Sequence, residues 1–425
     1  MTKCGIEEIE KLLESANLNF LIGSGASRPF LDTLQDIEKT MEAFDKKDGF
    51  GNDKEDKETL NIIEASIKHH YFTKCIEKNL ELIANSCKDE TCDRYNVSNN
   101  YKIFLVSLQT ILSKRPNNYP KQVNLFTTNI DIFLDLALEE CSLSFNDGFS
   151  GRMNPKFGTE NFHNIINKVS SYYDYQSTLP LFNLFKLHGS LNWKCEKDTI
   201  YYDNKLAAVQ ELKKCNLAKV VEYFKENGEF LGKKDDNYDF SKFSEIYKQV
   251  AEKIKNNNVD DFIKVYDKLV DDFIKVYNKL VMINPNKDKF KDTTLKVHYY
   301  ELLRMFSNNI DKENAVLFVF GFSFADEHIR EIVNRAVKSN PTLLVVIFAY
   351  SEDDEKTIGN LINGQNVVFA SRENEKEKFD LKTINENFFK KTAEKLKKPK
   401  NVKEDSCKAE IKENSNTKTG GEDGK

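Results

Sequence analysis

The sequence predicts an α/β fold in which a Rossmann-like parallel sheet is interrupted by helical insertions. Two observations predict it: four short apolar runs each end in a small, polar loop, and helical patterns alternate with these runs. The chain has 425 residues, which leaves room for insertions beyond one typical domain. Ligands of an open α/β sheet bind beyond the carboxyl ends of its strands, so we expect the four loops to meet at one pocket.

The amino-terminal part is expected to contain a helix, a strand and a turn. Residues 5–16 have the pattern of a short amphipathic helix, which leads into a strand at 17–22 and the polar turn Gly23–Ser27. A second helix is expected to end near Phe44. Residues 45–58 are almost all Asp, Lys, Glu, Gly and Asn, which predicts a solvent-exposed loop.

A first helical insertion is expected at about residues 31–122. Its main signal is the helical spacing of apolar residues between 59 and 113. The chain then returns to the sheet with a strand at 123–127 and a helix at 130–141. A third core strand is expected at 183–188.

A second insertion, charged and helix-rich, is expected at about residues 195–279. It contains a tandem repeat, in which DDFIKVYDKLV at 260–270 returns as DDFIKVYNKLV at 271–281. The apolar residues of both copies fall on one helical face. We therefore interpret the repeat as a lengthened packing helix without a chemical role.

The last third of the folded region has the βαβ pattern of a parallel sheet. The predicted elements are a strand at 280–283 broken by Asn284-Pro285, a helix at 295–307, a strand at 315–320, a helix at 326–337, a strand at 343–348 and a helix at 355–362. Residues 397–425 have almost no apolar side chains, which predicts a disordered charged tail. The folded domain is thus expected to span residues 1–396.

Composition argues against several classes of protein. The 63 Lys and Arg and 68 Asp and Glu residues are interspersed, with a net charge of −5, which argues against direct binding of nucleic acid. The eight cysteines include no Cys-x-x-Cys pair, so we expect neither a disulfide framework nor a metal site. No signal peptide or membrane span is readable, which predicts a soluble, cytoplasmic protein.

The first loop is a candidate site for a pyrophosphate. Glycines after a strand can leave amide N–H groups free at a helix amino terminus, where phosphate is stabilised. The cofactor-binding candidates are Gly23, Ser24, Gly25, Ala26 and Ser27. Arg28 occupies the place of the third glycine of a dehydrogenase fingerprint, so the sequence does not support a dehydrogenase. The alternative that this loop is an ordinary strand-to-helix turn without a ligand also remains.

The second and third loops carry the candidate catalytic residues Asn129, Asp131 and His188. An Asn amide can bond ribose hydroxyls or a water, and a carboxylate can bond a carboxamide or offset charge on a departing nicotinamide. Alternatively, Asn129 caps a helix that begins at Ile130. His188 ends an apolar strand and is the best candidate for a general base, while Gly189 allows a ligand to approach closely.

The fourth loop offers small residues and a hydroxyl for the adenosine side of a dinucleotide. Its candidates are Gly321, Phe322 and Ser323. Thr128 of the second loop is a further cofactor-binding candidate. Asp326 is a further cofactor-binding candidate, but it equally well starts the next helix.

Together the four loops resemble those of the sirtuins, over roughly residues 17–350. Asn129-Ile130-Asp131 resembles the sirtuin Gln-Asn-Ile-Asp segment with Thr128 replacing Gln, Lys186–Ser190 resembles the His-Gly segment, and Gly23–Ser27 resembles the Gly-Ala-Gly loop. Sirtuin deacetylases carry two Cys-x-x-Cys pairs in a zinc module after the His-Gly segment. Here that region offers only Cys195 and Cys215, which puts an acetyl-lysine groove in doubt.

Three further segments resemble bacterial antiphage sirtuin-like NADases, most of all those that work with a HerA-type hexameric ATPase. They are FNDGFSG at 145–151, KLHGSLNW at 186–193 and GFSFADEH at 321–328. The resemblance implies hydrolysis of NAD⁺ to nicotinamide and ADP-ribose during infection, assembly into a homo-oligomer and an ATPase partner. Two alternatives stay open: an NAD-dependent protein deacetylase, and a non-catalytic sensor of NAD⁺ or ADP-ribose that regulates an ATPase.

Overall fold

The computed structural model describes residues 2–32, 54–84, 91–215, 260–284, 297–374 and 376–397, with short stretches between 41 and 44 and between 217 and 252. Most of the helix expected to end near Phe44 and most of the loop expected at 45–58 lie outside the described residues, as does the tail expected at 397–425 apart from Lys397.

An eight-stranded sheet forms the centre of the fold, and all its neighbouring strands are parallel. Its strands are β1 (Lys3–Cys4), β2 (Asn17–Ile22), β3 (Gln122–Thr127), β4 (Phe145–Asn146), β5 (Leu181–Lys186), β6 (Ala315–Phe320), β7 (Leu344–Phe348) and β8 (Val367–Ala370). Their spatial order is β1-β8-β7-β6-β2-β3-β5-β4. The predicted α/β class with a Rossmann-like parallel sheet is therefore confirmed.

Both faces of the sheet are covered, which explains why its strands read as continuous apolar runs. Successive residues of β2 alternate between two hydrophobic cores: Phe20 and Ile22 belong to one core and Leu21 to the other. Helices on the Phe20 face are Ile6–Ser15, Asp93–Lys114, Phe133–Glu140, Leu381–Ile384 and Lys390–Lys397. Helices on the Leu21 face are Val297–Ile310, Glu327–Ser339 and Glu352–Leu361.

A chain of asparagine side chains crosses the sheet within its apolar strands. Asn19, Asn124 and Asn183 lie level in the register of β2, β3 and β5. The Asn124 Nδ2 donates to Asn19 Oδ1 at 2.9 Å, and the Asn183 Nδ2 donates to Asn124 Oδ1 at 2.9 Å. On the outer side, Asn146 of β4 donates to Asn183 Oδ1 at 3.0 Å. The amides bond one another only in this alignment, so they specify the strand register.

The first insertion is helical where it is described. Its elements are the helices Lys54–Tyr71, Asn79–Ile83 and Asp93–Lys114, with a π-helical turn at Phe72–Ile76. The first of these helices begins inside the stretch predicted as a loop, so that boundary was wrong. Lys and Glu are good helix formers, and the buried Leu60, Ile63 and Ile67 anchor the helix to the core.

The second insertion is described only in part, and its described residues include both helices and short strands. It begins with a hairpin, Trp193–Glu196 and Thr199–Tyr202, that joins Lys156–Phe157 and Phe149–Ser150 in a four-stranded sheet. Further described elements are the helices Ala207–Lys214 and Asp260–Tyr277 and the short strands Lys225–Glu226, Glu229–Phe230, Lys233–Lys234 and Asn237–Tyr238. In the second copy of the repeat, Phe273 and Tyr277 are buried, which confirms a packing role for the helix face of that copy.

Several smaller elements complete the described chain: the hairpin Asn167–Val169 with Gln176–Thr178, the 3-10 helices Ser24–Ser27 and Thr159–His163, and the π-helical turn Asn385–Phe389. The strand predicted at 280–283 is only an isolated antiparallel bridge between Met282 and Gly189. Among the described helices, none combines the length and apolarity that crossing a membrane requires.

Candidate functional site

The candidate site lies where the strand order of the sheet reverses. From β2 the chain proceeds outward to β3 and β5, and β6 is then added on the opposite side of β2. The last residues of these strands are level, because Phe320 pairs with Ile22, Ile22 with Thr127 and Thr127 with Lys186. The four loops that follow start at one edge of the sheet, at the position where ligands of such folds bind.

The loops after β2 and β6 are in direct backbone contact. The Gly25 N–H donates to the Gly321 carbonyl at 2.9 Å. A Cβ added to Gly321, whose φ is +64°, would lie 2.5 Å from the Ala26 nitrogen. A Cβ on Gly23 would lie 2.3 Å from the Gly321 oxygen. These glycines are thus required for the close approach of the two loops.

That contact uses amide groups that the sequence predicts to be free for a pyrophosphate. The Gly23 N–H donates to the Phe320 carbonyl at 3.1 Å, and the Ala26 N–H donates to the Gly23 carbonyl at 3.1 Å. Residues Ser24–Ser27 form a single four-residue 3-10 helix. Together with the Gly25 N–H, three N–H groups of this loop therefore donate to carbonyls of the protein. The sequence predicts instead that these donors are free at a helix amino terminus. A phosphate-binding role for Gly23–Ser27 stays a prediction that depends on the loop's other groups.

Asn129 is held by the loop after β2. Its Nδ2 donates to the Gly23 carbonyl at 3.1 Å and lies 3.4 Å from Ser27 Oγ. The following helix begins at Phe133, not at Ile130, and its cap residue makes no side-chain hydrogen bond. The alternative that Asn129 caps this helix is therefore wrong.

The Oδ1 atom of Asn129 is buried and makes no hydrogen bond within the described chain. The residue is only 7 % exposed. A buried acceptor without a donor costs free energy, so such atoms in native proteins commonly mark a place where a ligand or water supplies the donor. Within the candidate site, this atom is the clearest hydrogen-bond acceptor that a ligand or water could use.

Asp131 is buried and holds the loops together. Its Oδ2 accepts from Ser27 Oγ at 2.7 Å, and its Oδ1 accepts from the Phe133 N–H at 3.2 Å. The Tyr101 hydroxyl lies 3.0 Å from the same Ser27 Oγ. Burial raises the pKa of the Asp131 carboxyl, an effect opposed by the charge of Lys186 and the Ser27 hydrogen bond. Because both oxygens accept from the protein, direct contact with nicotinamide stays a prediction.

Lys186 forms a buried ion pair beneath the site. Its ammonium lies 2.7 Å from Asp135 Oδ2 and also donates to the Asp131 carbonyl. The other Asp135 oxygen accepts from Asn192 Nδ2 at 2.9 Å. Lys186, at the end of an otherwise largely apolar strand, thus ties the loops after β3 and β5 together.

His188 lies two residues beyond the end of β5, which ends at Lys186 rather than at His188 as predicted. Lys186 pairs with Thr127, and Asn129 lies two residues beyond Thr127, so the loops that carry His188 and Asn129 start side by side. Gly189 has a φ of +78°, and a Cβ there would lie 2.2 Å from the Val281 oxygen. This glycine therefore makes room for the segment around Met282 rather than for a ligand, contrary to the prediction.

Asp326 has two roles in the structure. It is the N-cap of the helix Glu327–Ser339, because its Oδ1 accepts from the N–H groups of His328 at 3.1 Å and Ile329 at 3.2 Å. Its Oδ2 lies 3.0 Å from His188 Nε2. The strands that precede these two residues, β6 and β5, are separated in the sheet by β2 and β3. The loop after β6 thus crosses the ends of two strands to reach the imidazole.

The remaining candidates line the same loops. Thr128 donates its N–H to the Ile22 carbonyl at 3.3 Å. Phe322 is half-buried and packs edge-on against Phe324, with ring centroids 5.1 Å apart, and the exposed Ser323 accepts from the Ala325 N–H at 3.4 Å. Their contact with an adenosine stays a prediction.

Sequence reasoning missed the residues that hold these loops in place: Tyr101, Asp135 and Asn192. Tyr101 occupies an apolar position of a helix in the first insertion, and Asp135 lies within a short helix. The sequence carries no signal for Tyr101, whereas Asp135 could have been suspected as the counter-ion that a buried Lys186 requires.

No group of three or more His, Cys, Asp or Glu side chains in the described part of the chain is arranged to hold a metal ion. Comparison with protein-family models finds no match, and no curated protein matches the chain significantly.

Proposed function

We propose that the protein is an NAD⁺ glycohydrolase. Water attacks ribose C1′ as the bond from C1′ to the nicotinamide nitrogen breaks, which yields nicotinamide, ADP-ribose and a proton. The observation that carries the proposal is the buried, unbonded Oδ1 of Asn129, at a topological switch point and on the loop that starts beside the loop of His188. The residues needed to bind a ribose and accept a proton thus come from neighbouring loops.

The reaction passes through an oxocarbenium-like state, so the site must hold the sugar and present a water. Asn129 Oδ1 accepts a hydrogen bond from a ribose hydroxyl or from that water. His188 accepts the proton that the hydroxyl or the water releases. Ser27 and Asp131 support these groups by fixing the Asn129 amide through the contacts described above.

The rest of the dinucleotide extends along the other loops in this proposal. Ser24 and the remaining groups of Gly23–Ser27 contact the diphosphate, and Asp131 lies at the nicotinamide end. Thr128, Gly321, Phe322 and Ser323 contact the adenosine half. NAD⁺ is the substrate, and the proposed reaction needs no metal.

The biological setting is proposed from the resemblance to antiphage sirtuin-like NADases. Uncontrolled hydrolysis would drain the NAD⁺ of the cell, so we propose low activity until an assembly or an infection signal reorganises the site. The proposed assembly is a cytoplasmic homo-oligomer that works with a HerA-type hexameric ATPase, which would hold any nucleic acid in place of this chain.

Incubation of the full chain with NAD⁺, alone and with such an ATPase, tests the proposal by chromatography of the products. We expect nicotinamide and ADP-ribose in equal amounts, and their loss in Asn129→Ala and His188→Ala. The exposed Asn118→Ala variant serves as the matched control and should retain full turnover. Turnover that persists in both site variants would contradict the assigned roles.

The same assay separates the alternatives. Release of nicotinamide only with an acetylated peptide, together with acetyl-ADP-ribose, would identify a deacetylase. Saturable binding of NAD⁺ that stays intact, with and without the ATPase, would identify a sensor. Nicotinamide release that needs no peptide supports the glycohydrolase.

A further inference from the structure

Asp326 joins a helix terminus to the imidazole of His188. Its Oδ1 is fixed by the two N–H groups at the start of the helix Glu327–Ser339. Its Oδ2 is in ion-pair contact with His188 Nε2 at 3.0 Å. Both residues are largely buried, with side-chain exposures of 6 % and 13 %. Both oxygens thus face groups of the protein, and contact of Asp326 with a cofactor stays a prediction.

A carboxylate beside one ring nitrogen selects the tautomer of a neutral histidine. A carboxylate oxygen accepts hydrogen bonds only, so the nitrogen that faces it has to carry the proton. Here Nε2 faces Asp326, which leaves the lone pair on Nδ1. The contact is off the line of an ideal hydrogen bond, and such bonds in ligand-free sites commonly tighten when the substrate binds.

We propose that Asp326 is a positioning residue for His188, which keeps the proton on Nε2 so that Nδ1 is the nitrogen that accepts a proton during NAD⁺ cleavage. This proposal depends on the proposed function only for the identity of the reaction in which Nδ1 accepts the proton. The tautomer itself follows from the cap geometry, because the helix fixes the carboxylate and the carboxylate fixes the ring.

Two variants of the full chain test this role, because both retain an oxygen that can cap the helix. In Asp326→Asn the amide oxygen has to face the helix N–H groups, so its NH₂ faces Nε2 and forces the proton to Nδ1. In Asp326→Ser the side chain is too short to reach the imidazole. We expect Asp326→Asn to lower kcat by at least about 100-fold with KM changed less than about threefold, and Asp326→Ser to lower kcat less.

Two kinetic results would overturn the proposal. A raised KM with unchanged kcat in Asp326→Asn would mean that Asp326 binds the dinucleotide. Equal losses of kcat in both variants would mean that the residue only stabilises the loop. Thermal melting serves as the control, since both variants keep the cap and should unfold near the temperature of the parent.

A measurement without substrate separates this inference from the proposed function. Nitrogen chemical shifts of ¹⁵N-histidine-labelled protein report the tautomer, and the His188 signals are those that disappear in His188→Gln. We expect the proton on Nε2 in the parent and on Nδ1 in Asp326→Asn. A parent tautomer with the proton on Nδ1 would overturn the inference even if NAD⁺ is hydrolysed. The expected tautomers without any hydrolysis would instead refute the proposed function alone.

Discussion

The Ser27 hydroxyl donates to Asp131 Oδ2 at 2.7 Å and joins the loop after β2 to the loop after β3. Ser27 is 1 % exposed and Asp131 is 6 % exposed, so water cannot readily replace this bond. The Asn129 amide lies against the same hydroxyl. One buried serine therefore contacts both Asp131 and the candidate catalytic amide, which the Gly23 carbonyl also holds.

Replacing Ser27 by Ala should weaken both folding and turnover. The change leaves the buried Asp131 Oδ2 without its hydroxyl donor, which should lower the free energy of unfolding by about 1–3 kcal/mol. Urea unfolding followed by circular dichroism measures the loss. Ser24→Ala, in the same loop but only partly buried, should change stability by less than about 0.5 kcal/mol. Equal effects of the two variants would show that the Ser27–Asp131 bond contributes little.

Replacing Gly321 by Ala should separate the two loops that touch at the switch point. Its φ is +64°, and the new Cβ would lie 2.5 Å from the Ala26 nitrogen, so backbone has to move. Gly151→Ala is the matched control, because its φ is also positive, at +103°, but its nearest neighbours are 3.7 Å from the new Cβ.

Gly321→Ala should cost about 1–3 kcal/mol more than Gly151→Ala in urea unfolding, since it adds a clash to the backbone strain. NAD⁺ turnover should fall in the first variant only. A Gly321→Ala protein as stable as Gly151→Ala would mean that the loops can move apart without cost.

Replacing Asn124 by Ala should break the chain of asparagines across the sheet. The change removes the donor to Asn19 Oδ1 and the acceptor for Asn183 Nδ2, and both of these residues are buried. Two unsatisfied groups should lower the free energy of unfolding by about 2 kcal/mol or more. The exposed Asn118→Ala is the control, and guanidinium unfolding midpoints compare the two. A midpoint for Asn124→Ala equal to that of the control would show that the asparagines do not stabilise the sheet.

The sequence predicts those parts of the fold that have a strong local signal. Strands buried on both faces, such as β3 and β6, read as apolar runs and were located to within one residue. The edge strands β1 and β4 have two residues each, too few for any periodicity, and are defined only by their partners β8 and β5.

For the candidate site, the sequence indicates which loops meet but not how their side chains pair. Gly25 and Gly321 are readable as turn residues, yet their mutual contact depends on tertiary structure. The same holds for His188 and Asp326, which approach each other because one loop crosses the ends of β2 and β3. Sequence spacing carries no information on such contacts.

Asp147 should make the protein less stable as the pH rises. It lies in the loop after β4, and burial, the largest effect, raises its pKa from 3.8 to about 6, with the nearby Asp135 adding to the shift. Between about pH 4 and pH 6 the folded state therefore binds a proton that the unfolded state has released. The stabilising contribution of this proton is complete below pH 4 and is lost as the pH rises through 6.

Asp147→Asn keeps an oxygen that can accept from the Phe149 N–H, a bond of 3.0 Å, and removes the charge. The variant should match the parent near pH 4 and be more stable by about 3 kcal/mol above pH 7, in urea unfolding across that range. The exposed Asp174→Asn should follow the parent throughout, and a constant difference between Asp147→Asn and the parent at every pH would contradict the raised pKa.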